Sequence, residues 1–117
     1  MRNFKELKIW QKGIDIAIKT YQFAETLSKE DKYVIVQQMT KASVSISSNI
    51  AEGSSRKSEK DYFRFIEISL GSAFELETQI IIAEKLNKGN QQLLQDLKME
   101  VADEQRMLTG FQHRLNQ

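Results

Sequence analysis

The sequence predicts an all-α single domain, an up-down-up-down antiparallel four-helix bundle, on three observations. The 117 residues include no proline, which sheet-rich and loop-rich folds use at turns and edges. Apolar residues recur at steps of three and four through four long segments. Short polar breaks join those segments, and a length near the mode for single domains leaves no room for a second one.

The first helix is expected over about 5-27. Leu7, Trp10, Ile14, Ala17, Tyr21 and Ala24 supply its main stripe, and Ile9, Ile16 and Phe23 form a second row seven apart on another side. A polar break at Leu27-Ser28-Lys29-Glu30 precedes the second helix, about 31-52. Tyr33 to Val36 alone would pass for a strand, but Ile35, Met39, Ala42, Ile46 and Ile50 keep helical spacing for several turns. Ser43, Ser45, Ser47, Ser48 and Ala51 make that helix small-sided, with hydroxyls that can return to the preceding turn.

Gly53-Ser54-Ser55 reads as a loop, glycine suiting the left-handed position that ends a helix. Ser58 with Asp61 has the form of a capping box and opens the third helix, about 58-87. Its main face is Tyr62, Phe65, Ile66, Ser69, Ala73, Leu76, Ile80 and Ala83. Lys88-Gly89-Asn90 turns the chain into a fourth helix, about 90-115. There Leu94, Leu97, Val101, Glu104, Leu108, Phe111 and Leu115 form the stripe, Glu104 being its one charged member.

The apolar surface exceeds what one bundle needs. Ile68, Phe74, Ile81 and Ile82 lie off the main face of the third helix, as Ile9, Ile16 and Phe23 do on the first. Burying each large side chain is worth roughly 1.5–3 kcal/mol, so these rows are the expected surface of a homo-oligomer.

Net charge is +1, with 17 basic against 16 acidic residues, and does not announce a nucleic-acid binder. Its distribution is uneven: residues 1–64 hold 12 Lys/Arg and 8 Asp/Glu, residues 65–117 hold 5 and 8. Two basic clusters are candidates for phosphate contact, Arg56, Lys57, Lys60 and Arg64 around the third helix's start, and Arg2, Lys5, Lys8 and Lys12 around the first's. Glu6, Glu59 and Asp61 are interspersed among them.

Several chemistries find no residues to carry them. There is no cysteine, and the one histidine, His113, has Gly110 three residues before it, which excludes a Glu-x-x-His di-iron site. No phosphate-loop pattern occurs, and the serines of the second helix have no base nearby. The expectation is a protein that is not an enzyme, with no cofactor and no metal. No apolar run is long enough to span a membrane, and MRNFKELKIWQK lacks a signal-peptide core, so the cytoplasm is the expected compartment.

Asn49 and Glu52 sit one turn apart near the end of the second helix, and Arg56 follows the Gly53 break. Glu75 lies one turn after Gly71-Ser72, a small pair that would let another helix approach. Either Glu52 or Glu75 can pair with Arg56 and fix how the corner folds back.

Three segments carry a resemblance: Phe4 to Gln11, the run S-I-S-S-N-I-A-E-G from Ser45 to Gly53 followed by Arg56, and Phe65 to Leu76. Together they resemble the bacterial four-helix-bundle family encoded in 23S ribosomal RNA intervening sequences, the S23-type ribosomal proteins, over nearly the whole chain. More distantly they are similar to accessory proteins of diversity-generating retroelements, barrel-shaped pentamers whose basic surface engages a reverse transcriptase and nucleic acid. This chain is almost neutral where those are strongly basic.

The resemblance implies a homo-oligomer, a pentamer by likeness to the retroelement proteins, and an association with RNA. The functional expectation is an interaction scaffold with RNA, DNA or a protein as partner. The alternative is a nucleic-acid-binding accessory protein of a reverse-transcriptase-type system.

Overall fold

A computed structural model describes residues 3–115 as four helices in a bundle 44 × 20 × 20 Å in extent. They are α1 (Lys8–Ala24), α2 (Lys29–Ser54), α3 (Glu59–Lys85) and α4 (Gln91–Arg114), with a 3-10 turn, Phe4–Glu6, ahead of α1. Each helix packs on its neighbours in sequence, and α4 closes back on α1. This is the up-down bundle that the helical stripes predict.

The starts of α2, α3 and α4 are set by side-chain caps, while α1 follows Leu7 without one. Ser28, Ser58 and Asn90 accept from the backbone N–H of Asp31, Asp61 and Leu93. Ser58 thus performs the capping that its spacing to Asp61 predicts. The α3–α4 turn uses Asn87 in the left-handed region, φ 55°, and Lys88 N–H reaches back to the Ala83 carbonyl at 2.9 Å. Gly89 follows at φ 70°, and a Cβ there would lie 2.6 Å from the Phe23 ring, so glycine is needed twice over.

Two expectations are corrected. Gly53 does not end α2 in a left-handed conformation; it lies inside the helix, where a Cβ would sit 2.7 Å from Phe65 Cβ. Its role is close approach between α2 and α3. On α1 the two rows exchange places. Ile9, Ile16 and Phe23 are 4%, 0% and 0% exposed and belong to the core of the single chain, so they offer no surface to a second copy. The row read as the main stripe is only partly inward: Ala24 is buried and Leu7 and Trp10 pack half-buried against the core, but Ile14 and Ala17 are half-buried farther out and Tyr21 is 54% exposed.

The reason is physical. The core face of α1 also contains Gly13 and Thr20, which lowers its apparent hydrophobicity. Gly13 lets α2 come close, a Cβ there being 3.2 Å from Ser47 Cβ, and the Thr20 hydroxyl donates to the Ile16 carbonyl at 2.7 Å. Small and self-satisfied residues fit a tight helix contact as well as large apolar ones do.

Candidate functional site

The antiparallel topology brings the start of α1, the α2–α3 corner and the end of α4 to one pole. Residues 3–12, 52–64 and 106–115 carry nine Lys/Arg against four Asp/Glu. At the opposite pole, residues 22–34 and 82–96 carry four against five. The two basic clusters of the sequence therefore converge, and a third pair, Arg106 and Arg114 of α4, joins them. Those two arginines are far from the others in sequence, and only the pairing of α4 with α1 and α3 places them there.

Within this pole the cations differ. Lys5, Lys8, Lys57, Lys60 and Arg64 are exposed, and Arg2 lies outside the described residues. Arg56 pairs with Glu52 at 2.9 Å and lies over the Phe65 ring at 4.7 Å from its centroid. Of the two carboxylates that sequence offers Arg56, Glu52 is the partner; Glu75 is exposed farther along α3. Lys12 is half-buried and pairs with Glu100 at 2.5 Å and Asp103 at 4.0 Å. Its charge is committed to α4, which corrects its placement among the phosphate-contact residues. Arg106 pairs with Asp103, and Arg114 lies 5.7 Å from the Phe111 centroid.

A cleft of about 440 Å³ opens at this pole between the start of α1 and the last turns of α4. Leu7, Met107 and Phe111 give it apolar lining, with Lys8, Arg106, Arg114 and Glu6 as its charged members. The sequence reading did not find it. Its signal is a pair of apolar stripes that end together beside clusters of cations.

The residues of the N-I-A-E-G segment build the corner that carries Arg56 and Lys57. Asn49 donates to the carbonyl of Ser45 at 2.8 Å and to its hydroxyl at 2.9 Å, and that hydroxyl meets Ser72 across the helix interface at 2.8 Å. Ser69 donates to the Ile46 carbonyl at 2.8 Å. These bonds, with Gly53 against Phe65, fix the spacing of α2 and α3. Gly71 stands apart, because a Cβ there would meet nothing within 4 Å.

The remaining predicted surface residues divide likewise. Ile68, Phe74 and Ile82 of α3 are 45%, 50% and 53% exposed, while Ile81 is half-buried. Trp10 is half-buried with its ring edge-on to Phe4, 5.3 Å between centroids, and Tyr62 is in the core.

Glu104 is fully buried, and neither carboxylate oxygen has a hydrogen-bond partner. Burial pushes its carboxyl up to about 8, against an opposing pull from Lys12. Glu100 moves the other way: hydrogen bonds from Lys12 and Lys19 hold its carboxyl below the usual value. Among the described residues no three His, Asp or Glu side chains gather as a metal site, and no helix is long and apolar enough to cross a membrane.

The family model for 23S rRNA-intervening sequence proteins matches residues 5–110 of this chain. A crystal structure at 1.70 Å of a protein of unknown function from the S23 ribosomal protein family of Bacteroides thetaiotaomicron superposes with a TM-score of 0.81. The two are 17% identical, over 88% of this chain and 96% of that one, so the likeness is one of fold. No curated protein matches the chain. With the family model spanning all four helices, the chain belongs to the 23S rRNA-intervening sequence protein family.

Proposed function

We propose that the protein acts by binding rather than catalysis, as a self-associating helical scaffold whose basic pole meets nucleic acid, RNA first. The observation that carries this reading is the convergence of three cationic segments at one pole, eight basic residues against four acidic once Lys12, held by Glu100 of α4, is left out. Phosphates are attracted by such a surface through release of their counterions, and repetition around an oligomer multiplies weak contacts into avidity. The near-neutral net charge of the chain is no obstacle, because most of the balancing carboxylates, among them Glu67, Glu75, Glu77 and Glu100, lie along the middle of the bundle, away from this pole.

Self-association is supported by the apolar side chains left exposed on α1, α2 and α3. A pentamer is the expected size by likeness to the retroelement accessory proteins.

The test uses a labelled single-stranded RNA titrated with protein at 50 mM salt and again at 200 mM. Binding is expected at the lower salt and should weaken roughly tenfold or more at the higher. Lys57→Glu with Lys60→Glu should weaken it further, while Lys29→Glu at the far pole should not. A flat curve at low salt overturns the nucleic-acid reading. Native mass spectrometry of the same sample should give a multiple of the 13.6 kDa chain, and a bare monomer overturns self-association.

A second reading, a protein partner, is favoured by the cleft, whose apolar lining beside Arg106 and Arg114 suits an acidic amphipathic segment. A reverse transcriptase or another nucleic-acid enzyme would be such a partner. Protein captured with the chain after nuclease treatment would move the weight to it.

A further inference from the structure

We infer that the RNA of the reading above, on which this inference rests, is taken as a single strand, with unpaired bases seated in two clefts that flank the last turns of α4. The first cleft, of about 440 Å³, lies against the start of α1. The second, of about 300 Å³, lies against the start of α3 and is lined by Phe63, Gln112, His113 and Leu115. The end of α4 is thus a ridge between two hollows, at the pole where the basic segments converge.

Each hollow offers what an unstacked base needs: an apolar surface, a polar edge and a cation for the neighbouring phosphate. In the first, Met107 and Phe111 are half-buried, and the exposed Arg114 holds its guanidinium 5.7 Å from the Phe111 centroid. Lys8 and Arg106 stand beside them, with Glu6. In the second, Phe63 is half-buried, the Gln112 amide donates to the Phe63 carbonyl at 3.5 Å, and His113 is exposed. Lys60, one turn before Phe63, and Arg64 beside it are exposed, and Glu67, one turn on, marks where the acidic middle of the bundle begins.

Gly110 points to an occupant. A glycine inside a helix costs stability relative to alanine. At Gly53 that cost has a packing reason, the approach of α3. At Gly110 a Cβ would meet, among the described residues, only Arg114 Nη1, at 3.8 Å. Gly110 lines the first cleft, so its missing side chain leaves open the cleft floor and not a contact within the chain. An acidic amphipathic segment would match the charge of that cleft but would leave the second hollow, with its amide and imidazole, without a use. The helix between them is about 10 Å across, so a short strand crossing the ridge reaches both.

The experiment titrates three labelled probes of equal length at 50 mM salt: a mixed-sequence RNA strand, the same strand paired with its complement, and an abasic strand. Wild type should bind the single strand roughly tenfold more tightly than the other two, as stacked bases provide. Gly110→Leu fills the first cleft without touching a charge, and should melt no lower than wild type. It should bring the single strand down towards the abasic level and leave the abasic strand unchanged. Phe63→Ala should act in the same direction from the second hollow. Equal, salt-sensitive binding of all three probes overturns the base clefts and leaves the nucleic-acid reading standing. A single-strand preference that survives both substitutions places the bases elsewhere and also overturns the inference. So does a Glu/Leu-rich amphipathic peptide that binds wild type but not Gly110→Leu while RNA binding stays the same, which gives the cleft to a protein segment. No binding of any probe overturns both readings.

Discussion

Where α2 packs on α3, the serines of the interface are hydrogen-bonded, Ser69 to the Ile46 carbonyl and Ser45 to both Ser72 and Asn49. Gln79 Oε1 is the one buried side-chain oxygen there, among the described residues, without a partner. Where α4 packs into the core beside α1, Glu104 has two buried oxygens and no partner for either. The difference lies in what each group needs. A serine hydroxyl rotates to donate to a carbonyl that already accepts one bond, and every helix supplies such carbonyls. An ionised carboxylate needs donors, and the N–H groups around it are spent within the helices. Glu104 therefore escapes the penalty of a buried charge by keeping its proton.

The strongest way to break this contrast is to titrate it. The folded carboxyl of Glu104 is pushed up by burial to about 8, against an ordinary value of 4.5. Between those values the folded state holds a proton that the unfolded state has lost, so stability is highest below the lower value. It falls as pH rises through the window and levels off above 8. A shift of this size corresponds to a loss of roughly 4 kcal/mol between pH 4.5 and pH 9 from this group. Glu104→Gln should remove that slope and be the more stable protein at pH 9. Urea unfolding of both proteins from pH 5 to pH 9 checks it; parallel curves would mean that Glu104 does not titrate in this range.

The same contrast extends to the glycines. A Cβ on Gly53 would lie 2.7 Å from Phe65 Cβ and 3.1 Å from the Tyr62 ring, so Gly53→Ala must push α2 and α3 apart. The strain should exceed the ~1 kcal/mol of helix propensity that alanine returns, for a net loss of about 2 kcal/mol. At Gly13 the nearest neighbours are 3.2 Å and 3.4 Å away, one of them a Glu104 oxygen, and Gly13→Ala should stay within about 1 kcal/mol of wild type. Thermal unfolding ranks the pair; equal melting temperatures would show that both seams have the same slack.

These packing details mark where sequence pattern stops being informative. The stripes of α3 and α4 were legible because large apolar residues dominate them: Ile66, Leu76 and Ile80, then Leu94, Leu97, Val101 and Leu108, all fully buried. Even Glu104 was visible as a charge within a stripe. On α1 the core face contains Gly13 and Thr20 while the outer face contains Ile14, Ala17 and Tyr21, and hydrophobicity alone ranks those two faces the wrong way round. The basic pole was half legible. Arg56, Lys57, Lys60, Arg64 and Lys8 stood out as runs, but Arg106 and Arg114 join them only through helix pairing. The loss of Lys12 from the set follows from a carboxylate 88 residues away.

Lys12 is where the two treatments of buried charge meet, and its removal gives the smallest but most discriminating effect. It donates to Glu100 at 2.5 Å and lowers the titration of Glu104 through its charge. In Lys12→Met the loss of a partly exposed ion pair should cost about 0.5–1 kcal/mol at pH 7. Glu100 keeps Lys19 at 3.2 Å and so stays ionised, but its carboxyl should titrate at higher pH than in the wild type. Its stabilising contribution, present above the unfolded value and lost as pH falls through the depressed one, should shrink. Glu104, relieved of the one cation that favours its ionised form, should also titrate higher. Carboxyl-carbon NMR titration follows both groups in one sample. Two upward shifts would tie the exposed ion pair to the buried acid; movement of Glu100 alone would confine the influence of Lys12 to the surface.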